Sequence, residues 1–290
     1  MTRPIYTRTV IENLEWLEHA IANGATFFVG HSGGKDSQAL AAVIESLVPA
    51  SQIVYVHADL GNVEWSGIKD HIRGCLPAGK TLQVVNAQYR DATPKLLVER
   101  IERRYSQLVV QGKADTASPW PDRASRYCTG ELKVDPIWKL IRNWPGCTQP
   151  AGYSKMRQRP IVINCVGIRA QESTRRAKLN PLTVNKKQDN GRREAWDFYP
   201  IFDLSIDDVW AIITASGQTR HPAYEAGNDR LSCLFCVFGS ANDWRNGAKV
   251  NPALYRKFVE MEKTFGKTIR RNQSIEQWVG ITVSEESDHG

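Results

Sequence analysis

The stretch Phe27-Phe28-Val29-Gly30-His31-Ser32-Gly33-Gly34-Lys35-Asp36-Ser37 decides the fold of this chain. An apolar run typical of a buried strand ends at Gly30, and a helical pattern from Gln38 to Leu47 follows directly. Backbone N–H groups at the start of such a helix point at a ligand, and the helix dipole favours negative charge there. The two adjacent glycines let the backbone close around a phosphate group. The stretch therefore predicts an anion-binding turn between a β-strand and an α-helix.

This turn is not a Walker A loop, which needs Ser or Thr directly after its lysine and a second glycine five positions before the last one. Here Asp36 follows Lys35, and the earlier position holds Val29. The string Ser32 to Ser37 instead resembles the PP-loop of the N-type ATP pyrophosphatases, an adenine nucleotide alpha-hydrolase-like family. Its relatives include the PAPS (phosphoadenylyl sulfate) reductases. An ordinary glycine-rich turn is the alternative.

The composition is that of a globular protein. The 290 residues are 41% hydrophobic and 24% charged, and no apolar run reaches the ~20 residues that cross a bilayer. The segment Met1 to Arg8 lacks the apolar core of a signal peptide, so we expect a cytoplasmic protein without a membrane partner. Six cysteines in a chain of this length do not predict a disulfide framework. The net charge of +7 suits a nucleotide or a nucleic acid as partner.

Strand-like and helical patterns alternate along the first half of the chain. This alternation predicts an α/β fold, a Rossmann-like doubly wound parallel sheet of about five strands. We expect a PP-loop nucleotide-binding domain over 1–180 and a C-terminal loop and helical extension over 181–290, packed on the same domain. The polar, basic stretch from Leu179 to Ala195 predicts a loop. Strands are predicted at Thr26–Val29, Gln52–Val56, Thr81–Asn86 and Ile161–Val166, and helices at Thr9–Asn23, Ser37–Leu47, Val63–Arg73, Ala92–Tyr105, Glu131–Asn143, Ser205–Ser216 and Asn251–Phe265.

The resemblance to the PAPS reductase family extends from about residue 25 to about residue 240. His57-Ala58-Asp59-Leu60-Gly61 is similar to the end of the family's second strand, which approaches the adenosine. Arg126-Tyr127-Cys128-Thr129 is similar to its Arg-x-Cys segment, and Gly167-Ile168-Arg169-Ala170 to its Gly-x-Arg segment. Tyr199-Pro200-Ile201 matches its Pro-Ile element. Their order is the family's order.

The resemblance implies a site for ATP and Mg²⁺. Lys35 would reach the phosphates, and Asp36 suits Mg²⁺, with a helix cap as its alternative role. Arg169 and Arg176 would bring guanidinium groups to phosphate or sulfate. Asp59 would contact a ribose or a metal, unless it only forms the turn before Gly61. The expected catalytic residues are Lys35, Asp36, Arg169 and Arg176, and the expected binding residues are Ser32, Gly33, Gly34, Lys35, Asp36, Ser37, His57, Asp59, Gly167 and Arg169.

The cysteines depart from the reductase pattern. Sulfonucleotide reductases attack sulfur with a cysteine in a C-terminal Glu-Cys-Gly tail, whereas the last cysteine here is Cys236. We therefore expect no thioredoxin-coupled reduction of PAPS.

A metal site is a second expectation from the cysteines. Cys128, Cys233 and Cys236 resemble the iron–sulfur members of the family, whose adjacent Cys-Cys pair is reduced here to Cys128. The resemblance implies a [4Fe–4S] cluster or Zn²⁺, with buried structural cysteines as the alternative. The place of Cys128 ahead of a helix predicts a lowered thiol pKa. A fourth metal ligand could come from Cys75, Cys147 or Cys165. The sequence around Cys75 and Cys165 is typical of core residues.

Three functions compete. The first is an ATP pyrophosphatase of PP-loop type that transfers an adenylyl group and releases pyrophosphate, in sulfur transfer or nucleic-acid modification. The second is a true sulfonucleotide reductase. The third is a nucleotide- or nucleic-acid-binding accessory protein of a defence or mobile-element system, in which the basic 157–193 region binds nucleic acid. The first is the prediction we adopt. A homodimer is left open.

Overall fold

The computed structural model describes residues 3–149 and 158–283. Within it the chain forms two compact units that alternate along the sequence. Unit 1 comprises Met1–Ala58, Gly67–Val85 and Pro136–His221, and unit 2 comprises Asp59–Ser66, Asn86–Asp135 and Pro222–Gly290. The chain does not pass from one unit to the other at residue 180, where the sequence predicted a domain boundary. The chain beyond that point still contributes strands to unit 1.

Unit 1 is built on a six-stranded sheet in the order β3-β2-β1-β4-β6-β5. All neighbouring strands pair in parallel except β5 and β6, which are antiparallel. The predicted parallel sheet of about five strands is confirmed, with one antiparallel strand added at its edge. The strands are β1 (Thr26–Gly30), β2 (Ile53–Ala58), β3 (Leu82–Val85), β4 (Ile161–Cys165), β5 (Leu182–Val184) and β6 (Glu194–Phe198).

Alternate residues of the strands bury into two separate cores. Phe27 and Val29 of β1 belong to one cluster, whereas Phe28 belongs to the other. Successive side chains along a strand point to opposite faces, so the two clusters lie on opposite faces of the sheet. Both faces are therefore covered by helices. Trp138 and Ile141 of helix α7 (Asp135–Asn143) pack on the second face. The doubly wound arrangement predicted from the sequence is therefore confirmed.

Most of the predicted helices begin and end within two residues of the observed ones, but those predicted over Val63–Arg73 and Ala92–Tyr105 each begin five residues later, at Ile68 and Leu97. One predicted helix is divided. Asn13 ends a first short helix and precedes a second, so the single helix predicted over Thr9–Asn23 is two. The helices are α1 (Arg8–Glu12), α2 (Leu14–Ala22), α3 (Lys35–Leu47), α4 (Ile68–Cys75), α5 (Leu97–Val110), α6 (Tyr127–Thr129, continued by a π-helical turn over Gly130–Val134), α7 (Asp135–Asn143), α8 (Ile206–Ala215), α9 (Pro222–Glu225), α10 (Ala241–Val250), α11 (Pro252–Phe265) and α12 (Ile275–Val279).

The loop predicted from Leu179 to Ala195 is wrong in part. It contains β5, and β6 starts within it at Glu194. The edge strand is only three residues long, and β6 carries the charged residues Glu194 and Asp197, so neither shows a clear apolar pattern. Asp197 is satisfied by Asn164 and Asn185, whose amides donate to its carboxylate at 2.8 Å each.

Unit 2 is held by an aromatic core rather than by a sheet. Phe235 lies 5.0 Å from Trp244 and 5.3 Å from Phe258 between ring centroids. Trp120 and Phe265 extend the same packing. In the part of the chain that the structure describes, no helix is long and apolar enough to span a membrane.

Candidate functional site

The loop of unit 1 that resembles a PP-loop, Ser32–Ser37, is called the PP-loop below and joins the carboxyl end of β1 to the first turn of α3. Gly33 has a φ of +79°, and a Cβ added there would meet Cδ1 of Ile68 at 2.4 Å. Gly34 is the N-cap of α3, and the helix begins at Lys35. The backbone N–H groups of Gly34 and Asp36 donate to no group among the described residues. The strand–turn–helix that the sequence predicted is therefore present, and helix N-termini leave such N–H groups for ligands, but anion binding here stays a prediction.

The two serines of the motif close the loop on itself. Ser37 Oγ accepts a hydrogen bond from the Ser32 N–H at 3.1 Å and donates to the Gly34 carbonyl at 2.7 Å. Ser37 is buried, whereas Ser32 is exposed, with its hydroxyl 3.3 Å from that of Ser37. Ser37 therefore shapes the loop, and Ser32 is the better placed of the two for a ligand.

Asp36 joins two predicted cations of the site. Its Oδ1 accepts from Arg169 Nε at 2.6 Å, and its Oδ2 lies 3.7 Å from Lys35 Nζ. Arg169, only 5% exposed, also donates to the Leu204 carbonyl at 3.3 Å. Both carboxylate oxygens of Asp36 thus face cations, and the carboxylate fixes the guanidinium of Arg169. The predicted role of Asp36 as a protein ligand for Mg²⁺ stays a prediction.

Arg176 is linked to Arg169 through the carboxylate of Glu172. One oxygen of Glu172 accepts the backbone N–H of Arg169 at 3.0 Å, and it also pairs with the Arg176 guanidinium. The structure therefore brings Lys35, Asp36, Arg169 and Arg176 to the carboxyl edge of the sheet. His57 joins them, because its Nδ1 lies 3.0 Å from the His31 carbonyl oxygen.

Asp59 adopts the turn-forming alternative. Its Oδ1 accepts the backbone N–H of Gly61 at 2.8 Å, and Gly61 has a φ of +71°. Asp59 is the first residue of unit 2. The predicted contact with a ribose or a metal stays a prediction.

Gly167 lets two loops of unit 1 approach each other. A Cβ at this position would lie 2.8 Å from the Asp36 carbonyl oxygen and 3.3 Å from the Ser37 nitrogen, both backbone atoms. Backbone atoms cannot turn aside as a flexible side chain can. Gly167 thus holds the Arg169 loop against the first turn of α3.

Gly167→Ala is therefore expected to lower the free energy of unfolding by about 1–3 kcal/mol, as overpacking commonly does. Gly74→Ala is the matched control, because its added Cβ meets nothing within 4 Å. In α4 that change should stabilise by about 0.5–1 kcal/mol. Urea denaturation of both variants measures the difference, and equal stabilities would contradict this role of Gly167.

Sequence reasoning missed a group of buried histidines around the loop. His31 Nδ1 accepts the Gly33 N–H at 3.1 Å, and His31 Nε2 is buried without a hydrogen-bond partner among the described residues. His71 Nε2 lies 3.2 Å from the Gly33 carbonyl, and the rings of His71 and His221 meet edge to face at 4.9 Å. Burial lowers the pKa of His31 to about 3, with the charges of His71 and His57 contributing, and burial also lowers the pKa of His221 to about 4. His31 and His221 are therefore neutral imidazoles at pH 7.

The three predicted metal-binding cysteines all lie in unit 2. Leu234 and Phe235, between Cys233 and Cys236, are 2% and 1% exposed and anchor the loop in the aromatic core. The Leu234 N–H donates to the Val63 carbonyl at 2.8 Å, and the Trp244 indole donates to the Cys236 carbonyl at 2.8 Å. The C-x-x-C turn is therefore held by its own middle residues.

The metal site that the sequence predicted at these three cysteines stays a prediction. The thiols of the three cysteines lie close enough for the charge of one to affect the pKa of another. Among residues 3–149 and 158–283, however, no three His, Cys, Asp or Glu side chains are placed to hold one metal ion. The lowered pKa predicted for Cys128 is wrong: burial raises it, against the opposing charge of Lys133. Burial likewise raises the pKa of Cys233 to about 12. Cys75 and Cys165 are buried, as expected of core residues.

Comparison with known proteins adds relatives of low identity. An uncharacterized protein of Methanocaldococcus jannaschii is 24% identical over 220 residues, which cover 71% of this chain and 48% of that protein. An uncharacterized 37.8 kDa protein of Escherichia phage 186 is 26% identical over 155 residues, or 53% of this chain and 42% of that protein. The chain spans less than half the length of the curated relatives it matches.

Among solved structures, a phosphoadenylyl-sulfate (PAPS) reductase from Candida auris aligns with a TM-score of 0.45 at 14% identity, covering 80% of this chain and 98% of that one. An FMN adenylyltransferase of Candida glabrata aligns with a TM-score of 0.40 at 14% identity, covering 78% and 59%. The family model of the phosphoadenosine phosphosulfate reductase domain matches residues 26–238, from β1 to just beyond the C-x-x-C turn. The chain belongs to that family.

Proposed function

We propose that unit 1 binds ATP at the PP-loop and transfers its adenylyl group to an acceptor, with release of pyrophosphate. The observation that carries this proposal is the position of Lys35. It is only 5% exposed and begins α3 beside N–H groups that have no acceptor among the described residues. A buried ammonium and helix N-terminus at one turn favour a polyphosphate ligand.

The proposed chemistry is displacement at the α-phosphate. A deprotonated oxygen of the acceptor forms the new bond to Pα, the bond from Pα to the bridging β-phosphate oxygen breaks, and pyrophosphate leaves with that electron pair. Lys35 and the loop N–H groups stabilise the charge on the leaving group, and Arg169 stabilises charge on the reacting phosphate. Mg²⁺ enters with ATP and neutralises its phosphates. Asp36 acts by positioning Arg169.

Product analysis tests the bond that breaks. With ATP labelled at the γ-phosphate, the proposal expects the label in pyrophosphate, and Arg169→Gln should lower its release. Arg73→Gln is the matched control, since Arg73 is an exposed residue of α4 paired with Asp70 at 2.7 Å. Label appearing in orthophosphate beside ADP would contradict adenylyl transfer.

Purified protein supplied with thioredoxin and PAPS is expected to release no sulfite. The thiolate, rather than the thiol, is the nucleophile in such chemistry, and burial raises the pKa of both Cys128 and Cys233. Sulfite measurement checks this. Robust sulfite formation that a single Cys→Ser change abolishes would restore the reductase function.

A further inference from the structure

Three arginines of unit 1 meet at the amino edge of the sheet, away from the PP-loop. Arg142 lies in the last turn of α7, and Arg192 and Arg193 lead into β6. Arg193 is only 5% exposed. Its burial lowers the pKa of the guanidinium, and the positive charges of Arg142 and Arg192 lower it further. An arginine nevertheless stays charged, so three like charges stand together at a partly buried position.

Neutral oxygen atoms hold these guanidiniums in place. Arg193 donates from Nε to Thr148 Oγ1 at 3.3 Å and from Nη1 to the Gln188 carbonyl at 3.4 Å. Arg142 donates to the Gln188 side chain at 3.3 Å, and Arg192 donates to the Gln149 carbonyl at 2.6 Å. Nη2 of Arg193 donates to no group among the described residues. These hydrogen bonds therefore orient the guanidinium groups and still leave N–H donors for a ligand.

No carboxylate neutralises this cluster within the described ranges. None of the three arginines forms an ion pair there, although Arg159 on the adjoining segment pairs with Asp189 at 3.2 Å. The undescribed residues 150–157 contain no Asp or Glu in their sequence. Buried charges in proteins are normally paired, because an unpaired one loses its hydration without compensation. A cation at a helix C-terminus would account for Arg142 but not for Arg193.

The cluster is separate from the proposed ATP site. β6 runs parallel to β4, and β4 runs parallel to β1, so Arg193 precedes the strand at the edge opposite Gly30. A five-residue strand spans about 16 Å. One phosphate chain bound at the PP-loop is therefore too far away to neutralise the three arginines.

We propose that Arg142, Arg192 and Arg193 form a second oxyanion site that binds a phosphate group, with a nucleic-acid backbone as its source. Three guanidiniums with donors to spare match the several oxygens of a phosphate. Lys186 and Lys187, both exposed on the hairpin before β6, extend the positive charge along the surface. The site narrows the predicted basic 157–193 region to its last residues and adds Arg142 from outside it. Arg157, the first residue of that region, lies outside the described residues.

Fluorescence anisotropy with a short labelled DNA duplex tests the site. Arg192→Gln is the first variant because Arg192 is exposed, and Arg142→Gln and Arg193→Gln follow, with their folding checked by thermal denaturation. Each change should weaken binding about tenfold or more and lower the slope of log affinity against log salt by about one. Arg8→Gln is the charge-matched control, since Arg8 is exposed and paired with Glu12 at 2.7 Å.

A second arm identifies the source of the phosphate. Inorganic phosphate is titrated into Lys35→Ala protein, with and without Arg192→Gln, and the midpoint of thermal unfolding is followed. Duplex binding that depends on the arginines supports a nucleic-acid source. Phosphate protection without duplex binding, lost in Arg192→Gln, supports the oxyanion site but assigns it a small phosphate compound. Two results together would overturn the proposal. The first is that the three variants match Arg8→Gln in duplex affinity and salt slope. The second is that phosphate either gives no thermal protection or gives protection that Arg192→Gln leaves unchanged.

Discussion

Acidification from pH 7 to pH 5 is expected to lower the free energy of unfolding by about 3–4 kcal/mol. The reason is the buried histidines beside the PP-loop. Burial lowers the pKa of His31 to about 3 and that of His221 to about 4, whereas both groups titrate near 6.5 when the chain is unfolded. Below about pH 6.5 the unfolded chain therefore binds protons that the folded protein does not. The contribution of these histidines to the free energy of unfolding is fully present above about pH 6.5. It is lost progressively as the pH falls towards the pKa values of the folded protein.

Other groups that are wholly or partly buried either add to this effect or oppose it. The pKa of His71 is also lowered by burial, so His71 contributes in the same direction. Glu45, Asp197 and Glu262 have pKa values raised by burial, and protonation of these carboxyl groups offsets the loss on the acidic side.

Urea denaturation at pH 7, 6 and 5 measures the effect. His31→Asn keeps an acceptor for the Gly33 N–H but cannot titrate, so it should remove about 2 kcal/mol of the pH dependence. His19→Asn is the matched control, because His19 is exposed on α2. A wild-type stability that is flat across this range, or a His31→Asn variant that keeps the full dependence, would show that the buried imidazoles do not control acid stability.

The sequence predicted the parts of unit 1 that are coded locally. The strand–turn–helix at Gly30–Ser37 needs only an apolar run, two glycines and a helical pattern, all within one segment. The alternation of strands and helices predicted the doubly wound sheet for the same reason. β6 escaped prediction because its existence depends on pairing with β4 and on the amides of Asn164 and Asn185 that satisfy Asp197.

The contacts that complete the site are nonlocal, and the sequence gives no signal for them. The partner of Asp36 is Arg169, 133 positions along the chain. His31, His71 and His221 lie on three separate segments, and only the fold brings their rings together. The resemblance to a family supplied the residue types of the site but not their pairing. For this reason the sequence did not predict that Asp36 holds the Arg169 guanidinium.

Lys35→Ala is expected to weaken ATP binding by about 10- to 150-fold. Lys35 is buried at the first position of α3, and its ammonium is the cation that would meet the phosphates. A charge-assisted hydrogen bond contributes about 1.5–3 kcal/mol, which converts to that range of affinity. The side chain also lies 3.7 Å from Asp36, so its removal leaves that carboxylate to Arg169 alone. The folded structure should survive, because the Asp36–Arg169 pair and the Ser37 hydrogen bonds still close the loop.

Calorimetric titration of ATP–Mg²⁺ into wild-type protein, Lys35→Ala and Lys69→Ala tests the central claim, that the PP-loop of unit 1 is an adenine-nucleotide site. Lys69 is the control, a lysine of the first turn of α4 in the same unit. The account predicts saturable binding to the wild type, near-equal affinity for Lys69→Ala, and a loss of about tenfold or more in a folded Lys35→Ala protein. Unchanged ATP affinity in folded Lys35→Ala, or no binding to the wild type, would contradict it.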